Sequence, residues 1–453
     1  MAAIFIACVT APALAQFETR GTRSIPSESV GFAAGDFDNS GNLDLAVVSN
    51  GLSIALGNGD GTFHAPTTYP YLLGGAIAVG DFDGDGNLDL VATAYPYSSE
   101  VEVFLGNGDG TFQAPISAAT TEFPSLVAVG DFNGDGKLDV VIIDHPYISV
   151  LLGNGDGTFQ TPIDNDSFIE PEDLSVGDFN NDNRLDVMVV GSYGSVSNVG
   201  VLLGNGDGTL QSSLTYPLFY TANSVAVGDF NRDGNLDTAI EGKGLDVTVL
   251  LGDGEGGFGR PEYYELQSGY GQIAVGDFNG NGLLDLAAAG FSDPAGLSIL
   301  AGNGDGTFQA AQFYPAGVLV QSLAVGDFNG DDKPDVELLD RDHGAITLLN
   351  TGVASFSPTT PLIFKKQDVG TTSAPQDVTL TNTGKTVLKL SSMKASSQFG
   401  VTSNCSKSVR AGAKCTIIVT FSPKSQGTKT GTVTIIDSAS SKPQVIALSG
   451  TGT

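Results

Sequence analysis

The sequence has little of several residue types that mark common protein classes. Its 453 residues include no Trp, three Cys and three His, with 20 basic side chains against 51 acidic ones. The net charge of −31 repels phosphate backbones and acidic membrane surfaces, so it argues against nucleic acid as a partner. The histidines, His64, His145 and His343, have no zinc-site or catalytic-triad arrangement around them.

The first 15 residues are apolar and uncharged. Their length, and the small residues Ala13 and Ala15, are typical of a secretory signal peptide, although the basic residues expected at its start are lacking. We predict a signal peptide over residues 1–15, with an apolar N-terminal strand as the alternative. No later apolar run approaches the roughly 20 residues of a membrane-spanning helix, so we expect a secreted or cell-surface protein without a transmembrane span.

The charge changes sign along the chain. From Pro358 onward there are 11 basic and 3 acidic residues, which leaves 9 basic and 48 acidic residues before it. These counts give +8 for the C-terminal part and −39 for the rest. Such a step, where a glycine-rich pattern also stops, predicts one domain over residues 16–357 and a second over residues 358–453.

One unit of about 50 residues recurs seven times in the first domain. Each copy has Gly-Asp-Phe followed by a loop rich in Asp and Gly, and later a turn such as Leu-Gly-Asn-Gly-Asp-Gly-Thr-Phe. Four β-rich segments per copy, which we call A to D, place the acidic loop between A and B and the later turn between C and D. This pattern predicts an all-β, seven-bladed β-propeller, with an open solenoid as the alternative. Residues 17–25 resemble a D strand that would complete the seventh blade, and residues 357–364 compete for that place.

The acidic loops carry oxygen-bearing side chains at positions 1, 3, 5 and 9, usually with Gly at position 6. This is the spacing of the first part of an EF-hand loop, in which position 7 offers its backbone carbonyl. The loops are not EF-hands, because position 12 is an apolar strand residue in all seven copies instead of a bidentate Glu. A solvated turn explains any single copy, but seven copies in register indicate up to seven Ca²⁺ ions, one per blade.

The predicted calcium ligands occupy positions 1, 3, 5, 7 and 9 of each loop. In chain order they are Asp36, Asp38, Ser40, Asn42, Asp44; Asp81, Asp83, Asp85, Asn87, Asp89; Asp131, Asn133, Asp135, Lys137, Asp139; Asp178, Asn180, Asp182, Arg184, Asp186; Asp229, Asn231, Asp233, Asn235, Asp237; Asp277, Asn279, Asn281, Leu283, Asp285; and Asp327, Asn329, Asp331, Lys333, Asp335. We expect the second loop, with four carboxylates, to bind best and the sixth, with two, to bind worst. In the fourth loop Asn183 replaces the glycine, which an Asn in the left-handed region tolerates.

The run from Val127 to Val140, Val-Ala-Val-Gly-Asp-Phe-Asn-Gly-Asp-Gly-Lys-Leu-Asp-Val, resembles the FG-GAP/VCBS repeat. That repeat forms the blades of integrin alpha-subunit propellers and of many secreted bacterial proteins. The resemblance covers residues 30–357 and implies calcium binding by the acidic loops and a bacterial, extracellular setting. It implies less about function, because the family includes adhesins, lectins and domains attached to enzymes.

The C-terminal domain is rich in Thr and Ser, and about seven alternating strands predict an immunoglobulin-like β-sandwich. Its opening run from Asp368 to Gly384 and its closing run from Leu448 to Gly452 resemble choice-of-anchor D domains, which are related to abnormal-spindle/Hydin domains. Cys405 and Cys415 remain after signal cleavage as a pair consistent with one disulfide, and the resemblance implies that bridge. The domain is either a module for spacing or attachment on a bacterial surface or a structural end-cap.

Strand direction places the B to C loops on the face opposite the acidic loops. Tyr95, Tyr97, Tyr147 and Tyr193 lie in those B to C segments, and tyrosine suits recognition of protein or sugar. Tyrosines of the D strands either share this role or cover outer blade edges. We expect a monomeric, non-enzymatic, calcium-binding adhesion or recognition module for an extracellular protein or glycan. The alternatives are a polysaccharide lyase or hydrolase on a propeller scaffold and a purely structural envelope protein.

Overall fold

The computed structural model describes residues 17–23, 31–49, 51–71, 73–94, 96–145, 147–166, 170–193, 196–218, 221–242, 246–267, 269, 271–290, 294–316, 320–330, 333–340, 344–350, 354–357, 362–382, 387–410, 412–437 and 444–453. Within these residues the fold is all-β, as predicted, and contains no helix. No described segment therefore forms a helix long and apolar enough to span a membrane.

The first 28 strands form seven four-stranded antiparallel sheets. The first sheet is β2 (Gly31–Gly35), β3 (Asp44–Val48), β4 (Leu52–Ala55) and β5 (Thr67–Tyr69); the second is β6 (Ile77–Gly80), β7 (Asp89–Thr93), β8 (Glu100–Phe104) and β9 (Ile116–Ala119). The third is β10 (Leu126–Gly130), β11 (Asp139–Asp144), β12 (Tyr147–Leu151) and β13 (Ile163–Asp166); the fourth is β14 (Glu170–Gly177), β15 (Asp186–Tyr193), β16 (Val196–Leu202) and β17 (Leu214–Leu218). The fifth is β18 (Ala222–Gly228), β19 (Asp237–Gly242), β20 (Asp246–Leu250) and β21 (Glu262–Glu265); the sixth is β22 (Gln272–Gly276), β23 (Asp285–Gly290), β24 (Gly296–Leu300) and β25 (Gln312–Pro315). The seventh is β26 (Val320–Gly326), β27 (Asp335–Asp340), β28 (Gly344–Asn350) and the N-terminal strand β1 (Phe17–Arg23).

The sheets are arranged in a ring. The first strand of each sheet contacts the first strand of the next, from β2 through β6, β10, β14, β18 and β22 to β26, which contacts β2 again. Strand β1 pairs antiparallel with β28, with Phe17 opposite Asn350. The ring is therefore a β-propeller in which the start of the chain completes the last sheet.

The core lies between neighbouring sheets. The second strand of each sheet is buried and mostly apolar because both of its faces are covered, as in β7, where Leu90 and Ala92 pack against Ala46 and Val48 of the previous sheet. The Phe of each Gly-Asp-Phe motif is also buried between sheets. Phe37, for example, meets Phe112 of the next sheet edge to face, with ring centroids 5.6 Å apart.

The C-terminal domain is a sandwich of two sheets. Its strands are β29 (Ala354–Ser357), β30 (Leu362–Ile363), β31 (Gln376–Asn382), β32 (Leu388–Ala395), β33 (Phe399–Ser403), β34 (Ser408–Val409), β35 (Lys414–Phe421), β36 (Gly427–Asp437) and β37 (Gln444–Gly452). One sheet has the order β29-β31-β35-β33 and the other β30-β37-β36-β32-β34. Cys405 and Cys415 form a disulfide, with Cα atoms 5.0 Å apart.

The domain boundary lies earlier in the chain than predicted. The predicted boundary at residue 358 leaves residues 354–357 in the propeller, but β29 pairs with β31 of the sandwich. Residues 354–357, Ala-Ser-Phe-Ser, carry no charge, so the change in charge that set the predicted boundary cannot assign them. The sandwich therefore begins no later than Ala354.

Candidate calcium sites

Each acidic loop lies between the first and second strands of a sheet. In all seven sheets the first strand ends at the Gly before position 1, and the second strand begins at the Asp of position 9. Position 6 requires a left-handed backbone, with φ of 88° at Gly86 and 82° at Gly136. Asn183 takes the same conformation in the fourth loop, with φ of 63°, as expected from the sequence.

Position 1 organises the loop through backbone hydrogen bonds. In the second loop the Gly84 N–H donates to Asp81 Oδ1 at 2.8 Å and the Gly86 N–H donates to Asp81 Oδ2 at 3.0 Å. Asp83 at position 3 accepts the Asp85 N–H at 3.1 Å. Because these N–H groups curl the loop around the carboxylates, like charges can stand close together.

Position 9 is fully buried, and its carboxylate joins two parts of the same blade. Asp89 Oδ2 accepts the Phe82 N–H at 2.8 Å, and Asp89 Oδ1 accepts the Gly106 N–H of the C to D turn at 2.7 Å. The equivalent pair of bonds is present at Asp44, Asp139, Asp186 and Asp237. The sequence predicted position 9 as a ligand alone and missed this structural role.

Burial changes the acidity of the position-9 aspartates. It raises the pKa of Asp44 and of Asp89 to about 6, although the two backbone N–H donors of each carboxylate act in the opposite direction. Nearby loop carboxylates raise both pKa values further. A bound cation would relieve that repulsion and favour the ionised form.

Two loops bring three carboxylates together. One ligand oxygen from each of Asp36, Asp38 and Asp44 lies within 4.8 Å of the others, and Asp81, Asp83 and Asp89 form an equivalent group. Hard oxygen donors at this spacing fit Ca²⁺, which takes six to eight oxygens at roughly 2.3–2.6 Å. In the other loops position 3 is Asn, and no third group of three carboxylates is this close within the part of the chain that the structure describes.

Position 5 does not join the convergent group in the second loop. Asp85 turns instead toward Asn87, accepting its backbone N–H at 2.8 Å and its side-chain amide at 2.9 Å. At the equivalent positions Asp135 and Asp182 lie 3.9 Å from the charged groups of Lys137 and Arg184. Their role as ligands, like that of Ser40, Asp233 and Asn281, stays a prediction.

Position 7 links neighbouring loops through its side chain. Asn87 Oδ1 accepts the side-chain amide of Asn39 at 3.0 Å, and Asn235 Oδ1 accepts that of Asn181 at 2.8 Å. The backbone carbonyls of Asn42, Asn87, Lys137, Arg184, Asn235, Leu283 and Lys333 stay predicted ligands.

The sixth loop has a different arrangement. Asn279 is 3% exposed, and its amide nitrogen donates to both oxygens of Asp285, at 3.1 and 2.9 Å. Burial raises the pKa of Asp285 to about 7. In the sixth loop an uncharged amide thus occupies both oxygens of this carboxylate, whereas the second loop gathers carboxylates, so the sixth loop suits a cation least well.

The seventh loop is described in part. Asp331 lies outside the described residues, whereas Asp335 accepts the Phe328 N–H at 3.0 Å and the Asn329 side-chain amide at 3.2 Å. Its second backbone donor is Asn350 at 2.6 Å, which replaces the Gly of the other C to D turns.

A ring of hydrogen bonds ties each acidic loop to the next blade. In six sheets the backbone carbonyl of the Phe at position 2 accepts an N–H from a glycine in the C to D turn of the next blade. Phe37 and Gly110 form such a bond at 2.9 Å. The donors and acceptors are Gly61 to Phe328, Gly110 to Phe37, Gly157 to Phe82, Gly208 to Phe132, Gly256 to Phe179 and Gly306 to Phe230. At the seventh junction the side-chain amide of Asn350 donates to the Phe278 carbonyl at 2.6 Å and takes the place of the missing glycine.

The tyrosines divide into two groups. Tyr97 is 50% exposed and Tyr147 is half-buried at the start of β12, whereas Tyr95 and the side chain of Tyr193 lie outside the described residues. Three D-strand tyrosines are structural instead, whereas Tyr263 on β21 is 41% exposed. The hydroxyls of Tyr69, Tyr216 and Tyr264 bond to backbone groups of the next blade, namely Phe112 N–H, Gly256 C=O and Phe308 N–H.

Comparison with known proteins agrees with this architecture. The family model described as FG-GAP-like repeat matches residues 36–92, 81–142, 131–189, 178–240 and 277–336, more than half of the chain. The model described as Abnormal spindle-like microcephaly-assoc'd, ASPM-SPD-2-Hydin (ASH) matches residues 351–445. No curated protein matches the sequence.

Solved structures match parts of the chain at low sequence identity. BBS1N, solved in complex with ARL6DN, is 15% identical with a TM-score of 0.54, over 73% of this chain and 96% of that one. An Agrocybe aegerita lectin that recognises non-reducing terminal N-acetylglucosamine is 17% identical with a TM-score of 0.47, over 73% of this chain and 87% of that one. A PapD-like ASH domain of human CEP192 is 14% identical with a TM-score of 0.19, over 22% of this chain and 84% of that one. The repeat matches and the ring of sheets together show that the chain belongs to the FG-GAP repeat family and ends in an ASH domain.

Proposed function

We propose that this protein is a secreted or cell-surface, calcium-binding recognition module without catalytic activity. The observation that carries the proposal is the convergence of three carboxylates in the first and second acidic loops, within 4.8 Å. Bound Ca²⁺ would supply positive charge and oxygen coordination at these loops. The expected partner is an extracellular protein or glycan on the face opposite the loops, where Tyr97 is exposed.

The chain's own contacts explain why such a module would use calcium. Each position-9 Asp holds the start of its loop to the C to D turn of its blade, and the position-2 carbonyl holds the same loop to the next blade. A loop whose carboxylates repel each other would strain both connections. Neutralising the loops would therefore stabilise the ring and fix the positions of the loops on its other face.

The stability of the full chain in EGTA and in millimolar Ca²⁺ tests the proposal. Calorimetry should resolve a propeller transition that moves upward with Ca²⁺ and a sandwich transition that does not, because binding to the native state alone raises stability. The double variant Asp81→Asn/Asp83→Asn should reduce that shift, whereas Asp109→Asn in a C to D turn, outside the acidic loops, should leave it unchanged. If the temperature of the propeller transition does not change with Ca²⁺, the loops are solvated turns and the proposal is wrong.

A further inference from the structure

A cavity of about 440 Å³ lies at the centre of the propeller, on the face opposite the acidic loops. Its described wall comes from the starts of the innermost strands β2, β6, β10, β14, β22 and β26, from the residues just before them, and from His145. Because inner strands of six sheets surround it, the cavity lies on the ring axis. It shares no residue with the predicted calcium loops.

The residue at one equivalent position of the wall differs between the two sides of the cavity. Five residues before position 1, the first three sheets carry Gly31, Ala76 and Leu126, which offer apolar surface. The same position is polar in the remaining four sheets, and two of these residues, Gln272 and Ser322, line the cavity. The arc of the first three sheets is therefore apolar at this strand position, although Ser125 and His145 of the third sheet add polar groups there, and the other arc can form hydrogen bonds.

The polar arc holds one amide in a fixed orientation. Ser322 is 9% exposed, and its hydroxyl donates to Gln272 Oε1 at 2.9 Å. That bond uses the amide oxygen of Gln272, a wall residue, and leaves its amide nitrogen available as a donor. The exposed carboxylate of Glu172 is an acceptor on the same wall, and the described wall includes neither Lys nor Arg.

These groups fit hydroxyls better than an anionic or wholly apolar ligand. A hydroxyl both donates and accepts, so it can use the Gln272 amide and the Glu172 carboxylate together. An anionic ligand would meet Glu172 and a propeller sequence with a charge of −39, and an apolar one would leave the polar arc unpaired. A sugar ring offers hydroxyls on its rim and an apolar C–H face, which matches the two arcs.

We propose that the axial cavity binds the terminal residue of an uncharged glycan. This proposal rests on the recognition function proposed above and names the ligand class and the place. A terminal residue can enter a cavity enclosed by inner strands, whereas an internal residue must continue the chain in two directions. Glu172, Gln272 and Ser322 would orient the hydroxyls, and Ala76 and Leu126 would cover the apolar face of the ring.

Binding measurements with three probes and three variants test the proposal. The full chain in millimolar Ca²⁺ is passed over neutral oligosaccharides of glucose, galactose and N-acetylglucosamine attached by their reducing ends, over oligouronates, and over an oligolysine peptide. Ala76→Leu narrows the cavity with a side chain that the third sheet already carries at the equivalent Leu126, and Gln272→Ala removes the oriented amide. Gln113→Ala, which changes an exposed glutamine outside the cavity, is the matched control. Thermal unfolding confirms that each variant is folded.

The proposal expects binding to at least one neutral oligosaccharide that free monosaccharide displaces, and no binding to oligouronates. Each cavity variant should weaken this binding by about tenfold or more, while Gln113→Ala leaves it unchanged. Glycan binding that survives both cavity variants would overturn the cavity assignment and leave the recognition function standing. Failure to bind any glycan, or capture of oligolysine that Ala76→Leu abolishes, would overturn the glycan assignment. Loss of the Ca²⁺-dependent stability shift would instead count against the proposed function.

Discussion

Replacing Glu337 with valine should stabilise the propeller. Glu337 lies on β27 with 1% exposure, and neither carboxyl oxygen makes a hydrogen bond of good geometry in the described structure. The hydroxyl of Thr347, opposite it on β28, lowers the pKa of the carboxyl by less than burial raises it. It shares a strand face with Leu339, which packs against Leu45 and Val47 of the first sheet. The carboxyl is therefore buried at the junction where the seventh sheet meets the first.

Two costs set the size of the effect. Burial raises the pKa of Glu337 from 4.5 to about 8, so at pH 7 the folded protein holds a proton that the unfolded chain releases. At about 1.4 kcal/mol per pKa unit up to pH 7, this uptake costs about 3 kcal/mol. Burying a polar group without a well-formed hydrogen bond costs about 1 to 3 kcal/mol more. Valine is smaller than glutamate, so imperfect packing around it offsets part of the stabilisation gained by removing the carboxyl.

The other six sheets show that an apolar residue fits this position. The equivalent residues are Ala46, Val91, Val141, Met188, Ala239 and Ala287. We expect Glu337→Val to raise the free energy of unfolding of the propeller by about 2 to 4 kcal/mol.

Denaturant unfolding across pH 5 to 9, at fixed Ca²⁺, measures the effect and its cause. Because the folded-state pKa is raised, the folded state binds more protons between pH 4.5 and about 8, and stability from Glu337 falls as the pH rises through that range. Glu337→Gln cannot ionise and should lose this slope. Glu262→Gln, which changes an exposed glutamate of β21, is a control that should not stabilise. A Glu337→Val or Glu337→Gln protein less stable than wild type at pH 7 would refute the reasoning.

The acidic loops and the ring junction give three further predictions. Asp81→Asn should weaken calcium binding at its loop by about tenfold or more in isothermal titration calorimetry, because that loop gathers three carboxylates, while Asp277→Asn in the sixth loop should change little. Equal effects would contradict this ranking. The Ca²⁺-induced rise in melting temperature should be larger at about pH 7.5 than at about pH 5, because protons compete for Asp89, whose pKa burial raises to about 6. Asn350→Ala removes the side-chain bond across the last junction and should lower the free energy of unfolding by about 1 to 3 kcal/mol in urea melts, and an unchanged value would show that this bond is dispensable.

The strands of the propeller could be predicted from the sequence because particular residue types lie at their ends. Gly before position 1 closes each first strand, and Asp at position 9 opens each second strand, so the motif that suggested calcium also marks the strand boundaries. The domain boundary was less predictable. Residues 354–357 have neither charge nor motif, and their pairing with β31 depends on a strand that lies about 20 residues further along.

The site was predictable in composition and less so in geometry. Spacing along the chain indicated which oxygens are near one another, but it did not show which backbone N–H groups compete for them. Asp89 meets Gly106 from 17 residues away, and Asn350 meets Phe278 from 72 residues away. The replacement of Gly by Asn at position 350 was visible in the sequence, but its meaning depends on the neighbouring blade.

The place of β1 has a consequence for how the protein folds. Each sheet from the first to the sixth uses strands that follow one another in the chain, so it can form from local contacts as synthesis proceeds. The seventh sheet is complete only when β28 pairs with β1, which lies more than 300 residues earlier in the chain, with Phe17 opposite Asn350. Contacts this far apart carry a large loop-closure entropy and form late. Strand β1 must therefore remain without its partner until the last repeat has emerged, and that interval is when this unpaired strand is most open to pairing with the wrong strand.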